Sequence, residues 1–280
     1  MDYPEPFLEL RSTIVKPKVL DTVGLCAGYE ANQWRGNKLA RHLFNWISYV
    51  ALDQENQAEF AQSNYMDKVS LAARHIYKTK KTESRGEIGE LILHIACVQE
   101  FGASPVLLKL ALKTSSNDTV KGYDGVHYVA RGEEDFELWL GESKFYTDPK
   151  SAITEAIKSI KEHISADFLD TEKAMIYGHI PEHIPNREAV RNLFKEAVSS
   201  DELIKKAVFP VLIAYNSNEV SNHNQLCDEY SEALERELSD LVDEFYAKLK
   251  EPLKIQLVFV PLGDKAVVIE KFDQLLEAHT

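Results

Sequence analysis

Hydrophobic positions along the chain change period several times, and each change marks a change of predicted secondary structure. A short extended pattern at Phe7-Leu8-Glu9-Leu10 precedes a long helical region from Asn37 to Lys78. There Leu39, Leu43, Trp46, Ile47 and Val50 recur at three- to four-residue spacing, and Val69, Leu71, Ala72 and Ile76 follow. Gln62-Ser63-Asn64 and Lys78-Thr79-Lys80-Lys81-Thr82 are its polar interruptions. Ser84-Arg85-Gly86-Glu87 then fits the S-x-x-E capping box, in which the serine and the glutamate satisfy each other's backbone N–H. Ile88, Leu91, Ile92, Ile95 and Val98 continue as the apolar stripe of a helix that ends near Gly102.

Beyond Pro105 the period shortens. Leu108, Leu110 and Leu112 alternate with Lys109, Ala111 and Lys113, which predicts a strand with one buried face. Tyr123 to Ala130 and Phe136 to Phe145 read as a hairpin closed over Arg131 to Asp135. Asp148-Pro149 opens an amphipathic helix through Ile153, Ile157, Ile160 and Ile164. Residues 176–185 read as loop-rich, and a helix is expected over 190–198. Two continuous apolar runs, 207–215 and 255–260, have strand length and suit strands covered on both faces. Between them lies an amphipathic helix carrying Leu234, Leu238, Leu241, Val242, Phe245 and Leu249. The order predicts an α/β fold: a mixed-sheet core flanked by helices over 85–280, preceded by a mostly helical N-terminal region, 1–84.

Composition narrows the function. With 280 residues the chain can bury a large core without a disulfide scaffold. Cys26, Cys97 and Cys227 are far apart with no C-x-x-C spacing, so three reduced thiols are expected. No apolar run approaches the roughly 20 residues of a membrane-spanning helix, and Met1-Asp2-Tyr3-Pro4-Glu5-Pro6 lacks signal-peptide character, so a cytoplasmic location is expected. Lys and Arg number 32 against 45 Asp and Glu, a net charge of −13. That field repels a polyanion, so tight unaided binding of nucleic acid is not expected. Part of the acidity is concentrated over 228–251, where nine acidic residues face three basic ones. That stretch reads as a solvated helix face. No G-x-x-x-x-G-K-[ST] loop is present, so the chain is not expected to bind ATP.

The candidate chemistry comes from strand parity. Residues 136, 138, 140, 142 and 144 share a face, so Glu142 and Lys144 continue the face that Phe136, Leu138 and Leu140 turn to the core. A hairpin centred between Gly132 and Glu133 puts Asp124 opposite residue 141, beside Glu142. Burying two neighbouring carboxylates is costly unless a cation compensates. Mg2+ takes hard oxygen ligands, typically one or two carboxylates plus waters and a substrate phosphate. Lys144 would then orient the attacking water and neutralise developing charge, which suits phosphodiester hydrolysis.

These residues resemble the metal site of the PD-(D/E)xK nucleases: a helix-borne Glu within Gly86-Glu87-Ile88-Gly89-Glu90, an Asp in Gly122-Tyr123-Asp124-Gly125, and E-x-K in Gly141-Glu142-Ser143-Lys144. Tyr123 replaces the superfamily's Pro, which is not a ligand. More narrowly, the segment from about 84 to 146 is similar to the HamA family, the nuclease subunits of the Hachiman antiphage defence system. The resemblance implies a restriction-endonuclease-like fold and a DNA nuclease using Mg2+ (or Mn2+), controlled by a helicase partner, HamB. It implies that Asp124, Glu142 and Glu90 hold the metal and that Lys144 assists the water. Glu87 is the alternative to Glu90, but the capping box already accounts for it. Lys78, Lys80, Lys81 and Arg85 cluster where a DNA backbone would reach that site. The rival readings are an inactive adaptor that only binds the helicase, and a hydrolase of RNA or nucleotides. His179 and His183 are spaced H-x-x-x-H, but Pro181 and Pro185 argue against a zinc-binding helix there. Trp34, Trp46 and Trp139 read as core or interface residues rather than base-stacking platforms.

Overall fold

The computed structural model describes residues 3–52, 64–77, 85–112 and 122–280. Strands β1 (Glu9–Ile14) and β2 (Thr22–Cys26) lead to the short pair β3 (Tyr29–Glu30) and β4 (Gln33–Trp34), then to helices α1 (Gly36–Val50), α2 (Tyr65–Tyr77) and α3 (Gly86–Phe101). Next come β5 (Ser104–Leu108), the single-turn α4 (Lys109–Leu112), β6 (Gly125–Ala130) and β7 (Phe136–Phe145). Helices α5 (Pro149–His163), α6 (Ala166–His179), α7 (Arg187–Leu193) and α8 (Ser200–Lys206) precede β8 (Ala207–Asn216). The chain continues through α9 (Asn218–Asn222), α10 (Asp228–Lys248), β9 (Ile255–Leu262) and α11 (Lys265–Glu277).

Seven strands form one mixed sheet in the order β1-β2-β9-β8-β7-β6-β5. Its middle is parallel, with β7 beside β8, β8 beside β9 and β9 beside β2, while β1 and the β5-β6-β7 meander are antiparallel. The two apolar runs became β8 and β9, each flanked by strands on both sides and covered on both faces. Helices α1, α2, α3 and α11 pack one face around Trp46, Trp139 and Phe272. Helices α5, α6 and α10 cover the other around Leu138, Phe209 and Phe259. The expected mixed α/β core flanked by helices is therefore present. Strands β1 and β2, of which the sequence pattern announced only the start of β1, extend the sheet beyond β9.

Four local readings shift. The strand expected over 108–112 ends at Leu108, because β6 starts at Gly125 opposite Leu108 and nothing remains for later residues to pair with. The Lys109 N–H donates instead to the Asp124 carbonyl at 3.3 Å, and the chain turns helical. The capping box is replaced: the N-cap of α3 is Arg85, in the left-handed region at φ 38°, with no side-chain cap, and Ser84 lies outside the described residues. Helix α6 extends through Ile176 to His179, where loop was expected, and the helix expected over 190–198 runs from Arg187 to Leu193. Among the described residues, no helix is long and apolar enough to cross a membrane.

Candidate active site

The β6–β7 ladder pairs Gly125 with Gly141 and Ala130 with Phe136. It is centred on Glu133, so Asp124 lies one step past the ladder, level with Glu142 rather than Gly141. The Asp124 N–H still donates to the Gly141 carbonyl at 2.9 Å. Glu142 and Lys144 continue the Leu138–Leu140 face, as parity requires, and pair in register with Val211 and Ile213 of β8. Ser143, between them, faces α3.

That alternation lets one tripeptide serve two sides of the site. The Ser143 N–H and hydroxyl donate to Asp124 Oδ2 at 2.8 and 2.7 Å. Lys144 Nζ reaches Glu142 Oε1 at 2.5 Å and Ser159 Oγ of α5 at 3.0 Å. Burial first, and then the neighbouring Asp124 charge, pushes the Glu142 carboxyl up to about 7, against the opposing pull of Lys144 and Lys109. Burial disfavours the charged form of Lys144, but Glu142 outweighs it and holds the ammonium above its usual range.

Glu90 reaches the same place from the opposite face of the sheet, and Gly89 explains how. A Cβ at Gly89 would lie 3.1 Å from Ser143 Oγ and 3.3 Å from Phe145 Cβ, and one at Gly141 would lie 2.8 Å from Leu93 Cδ2. The two glycines let α3 lie directly on β7. Glu90 is thereby delivered, with Gly86, Asp124, Glu142 and Lys144, to the wall of one cavity of about 1040 Å³. Glu87 does not line this cavity. It is buried, with its charge felt by Asp273 of α11. Arg85 is also turned away: its side chain is 1% exposed and pairs with Asp273 at 2.6 Å, so the guanidinium anchors the start of α3 to α11 instead of facing a DNA strand. Lys78, Lys80 and Lys81 lie outside the described residues. His94, one turn past Glu90, points into the core, where its Nδ1 lies 3.0 Å from His127 Nε2.

Lys109, His163 and Glu172 gave no signal in the sequence pattern, and Tyr123 gave only the replacement of a Pro. Lys109, read there as the outward residue of a strand, turns into the cavity and contacts Asp124 Oδ1 at 3.1 Å. Burial opposes its charge, but Asp124, Glu90 and Glu142 raise it above the ordinary lysine range. His163, the last residue of α5, has Nδ1 3.4 Å from Glu142 Oε2, and burial holds the imidazole down to about 4, so it is neutral at physiological pH. Glu172 of α6 accepts from the Tyr123 N–H at 3.3 Å, and burial pushes it up to about 7. Tyr123 donates its hydroxyl to the His163 carbonyl at 2.9 Å, tying α5 to the Asp124 segment. These contacts do not follow from a local pattern, because Lys109 enters through a turn, His163 at the end of α5 and Glu172 from the middle of α6, and packing sets the placement of each.

The donor set fits a hard divalent cation. Asp124 and Glu142 supply carboxylate oxygens at one strand end, Glu90 lines the same cavity, and the raised pKa of Glu142 marks negative charge that a cation would relieve. Among the described residues, no three His, Cys, Asp or Glu side chains are drawn together tightly enough to hold a metal by themselves. Lys109 and Lys144 contact Asp124 and Glu142 respectively. Two carboxylates with waters are enough for Mg2+. His179 belongs to no such group: its Nδ1 lies 2.7 Å from the Met175 carbonyl on its own helix.

Comparison with known proteins adds two findings. A family model described as HamA matches residues 1–276. A curated relative from Escherichia coli (strain K12), named "Anti-bacteriophage protein A", is 22% identical over 225 residues, covering 80% of this chain. The matched region is 41% of that relative, so the chain spans about two fifths of its length.

Proposed function

Because the chain belongs to the HamA family, we propose that it is a metal-dependent DNA nuclease, the effector of a bacterial antiphage defence complex, restrained by a helicase partner, HamB. The observation that carries this reading is the convergence of Asp124, Glu142 and Lys144 at one end of the β6–β7 hairpin, with Glu90 on the facing helix, around one cavity. The relative's name supports the defence role.

In this reading Asp124, Glu142 and Glu90 would hold Mg2+ or Mn2+. The bound ion would lower the pKa of a water and offset charge on a phosphoryl oxygen. Ser143 fixes the Asp124 carboxylate in one orientation through two bonds, which lowers the reorganisation needed when substrate arrives. Lys144, braced by Ser159, orients the attacking water and stabilises developing negative charge. His163 is neutral and touches Glu142, so it positions that carboxylate without adding charge.

The test is Mg2+-dependent degradation of plasmid and linear DNA by the purified chain, alone and with the helicase partner plus ATP. Glu142→Ala and Lys144→Ala should each abolish cleavage and defence while leaving folding and partner binding intact. Undiminished cleavage by either variant would refute the assignment. RNA and nucleotide substrates run in parallel separate a DNase from a broader hydrolase, and a wild-type chain inactive under every condition would favour the adaptor reading.

A further inference from the structure

Asp124 has two carboxylate oxygens, and they are held by groups of different kinds. Oδ2 accepts from the Ser143 N–H and hydroxyl, both fixed by the β7 backbone and by the tight seat of Gly89 against Ser143. Oδ1 is held at 3.1 Å by Lys109 Nζ, at the end of a flexible four-carbon stem. The same ammonium lies 3.5 Å from the Gly122 carbonyl, and its backbone N–H is tied to the Asp124 carbonyl. Lys109 is thus anchored through its main chain while its head group can leave. A divalent cation approaching Asp124 can reach only Oδ1 without breaking the sheet-borne bonds, and Oδ1 is the oxygen that Lys109 covers.

We propose that Lys109 is a displaceable cation of the active site: it holds Asp124 in the metal-free protein, competes with the divalent ion for Oδ1, and on displacement points into the cavity as a second contact for the substrate phosphate. This rests on the metal-dependent reading of the site. Its roles differ from those of Lys144, which is held by Glu142 and Ser159 on the far side of the cluster. The position explains why two lysines are buried beside carboxylates where E-x-K chemistry asks for one. A positive charge about 3 Å from a ligand oxygen opposes a second cation at that oxygen, so removing it strengthens metal binding. A lysine freed into the cavity would reach a phosphate oxygen as a point charge, so its loss weakens substrate binding.

The experiment measures Ca2+ and Mg2+ binding to the purified full chain by titration calorimetry, without DNA, for wild type, Lys109→Met and Lys109→Arg. Affinity of Lys109→Met is expected to rise about 3- to 10-fold, and that of Lys109→Arg to stay near wild type. In Ca2+, Lys109→Met should bind a short DNA duplex more weakly than wild type despite its tighter metal. Circular dichroism and thermal melts establish that each variant is folded. Unchanged or weaker metal affinity in folded Lys109→Met overturns the inference, as does undiminished DNA binding in Ca2+. Absence of metal binding by wild type instead overturns the metal-dependent reading itself, so the two failures are distinguishable. If Lys109→Met does not fold, Lys109→Gln, which keeps a donor but no charge, must show the same gain in metal affinity; failure to do so also overturns the proposal.

Discussion

Asp124 and Ser143 are joined by two hydrogen bonds, from the Ser143 N–H at 2.8 Å and from its hydroxyl at 2.7 Å, both to the same carboxylate oxygen. Ser143 is the variable middle residue of the E-x-K triplet, and its side chain points to the face opposite Glu142 and Lys144. The spacing that places Glu142 and Lys144 in the cavity therefore also places a donor where the Asp124 carboxylate needs one.

Removal of the hydroxyl alone tests this. Ser143→Ala keeps the backbone N–H bond and adds no bulk beside Gly89, so the fold should survive. A hydrogen bond to a charged group is worth about 1.5–3 kcal/mol. If half of that is felt in the transition state, cleavage falls on the order of 10-fold. Ser143→Thr, which keeps the hydroxyl, should retain more activity than Ser143→Ala. Cleavage by Ser143→Ala equal to wild type would mean that the backbone bond alone positions Asp124.

The two helix-borne glutamates make separable predictions. Glu90 lines the cavity and Glu87 does not, so Glu90→Gln should lose most DNA cleavage with little change in thermal stability. Glu87→Gln should keep cleavage within about threefold, less than 1 kcal/mol of transition-state stabilisation. Equal losses of activity from both, in proteins of equal melting temperature, would return Glu87 to the site.

Much of this was legible in sequence. The period-2 parity of β7 placed Glu142 and Lys144 on the core-facing side, and it holds because β6 pairs the strand over 136–141 and β8 continues the pairing to Phe145. The hairpin register was expected one step away, since loop composition does not specify whether the turn centres on Glu133 or on the bond before it. Gly89 is the point of α3 at which β7 comes close. Lys109, His163 and Glu172 were invisible for a common reason. Each belongs to an element ended or angled by tertiary packing: Lys109 where the β6 ladder stops, His163 at the last residue of α5, and Glu172 on a helix that crosses the Asp124 segment. The basic reading of Arg85 was reasonable from local charge, but Asp273 lies 188 residues further along the chain, beyond the reach of any pattern.

Glu172 predicts a pH dependence of stability. Burial pushes its carboxyl up to about 7 in the folded chain, from the ordinary glutamate value of 4.5. A group that binds its proton more tightly when folded stabilises the fold fully below its unfolded pKa, and the contribution is lost as pH rises through the folded value. The loss therefore falls between about pH 4.5 and 7. Glu172→Gln keeps an acceptor for the Tyr123 N–H and cannot ionise. Its melting temperature relative to wild type should rise between pH 5 and pH 8 by the equivalent of on the order of 2 kcal/mol, about 4–8 °C. Using a difference between two proteins cancels the buried histidines, whose depressed pKa values act in the opposite direction at acid pH. A difference that does not vary with pH would show that Glu172 ionises freely in the folded state.

Arg85 should govern stability rather than DNA affinity. Its guanidinium is 1% exposed, and its ion pair with Asp273 joins the start of α3, the helix that carries Glu90, to α11. Removing one member leaves the other charge buried without its partner, a loss of about 3–5 kcal/mol in fully buried pairs. Asp273 keeps 21% of its side-chain surface exposed, so Arg85→Ala should cost toward the lower end, about 3 kcal/mol, visible as a melting temperature lowered by about 6–12 °C. Asp273→Asn should be milder, because its amide can still accept from Arg85. Below its melting transition, Arg85→Ala should bind a DNA duplex with wild-type affinity and an unchanged salt slope, since no phosphate contact has been removed. A shallower salt slope at undiminished stability would instead put the guanidinium on the DNA, and would require the start of α3 to rearrange when substrate binds.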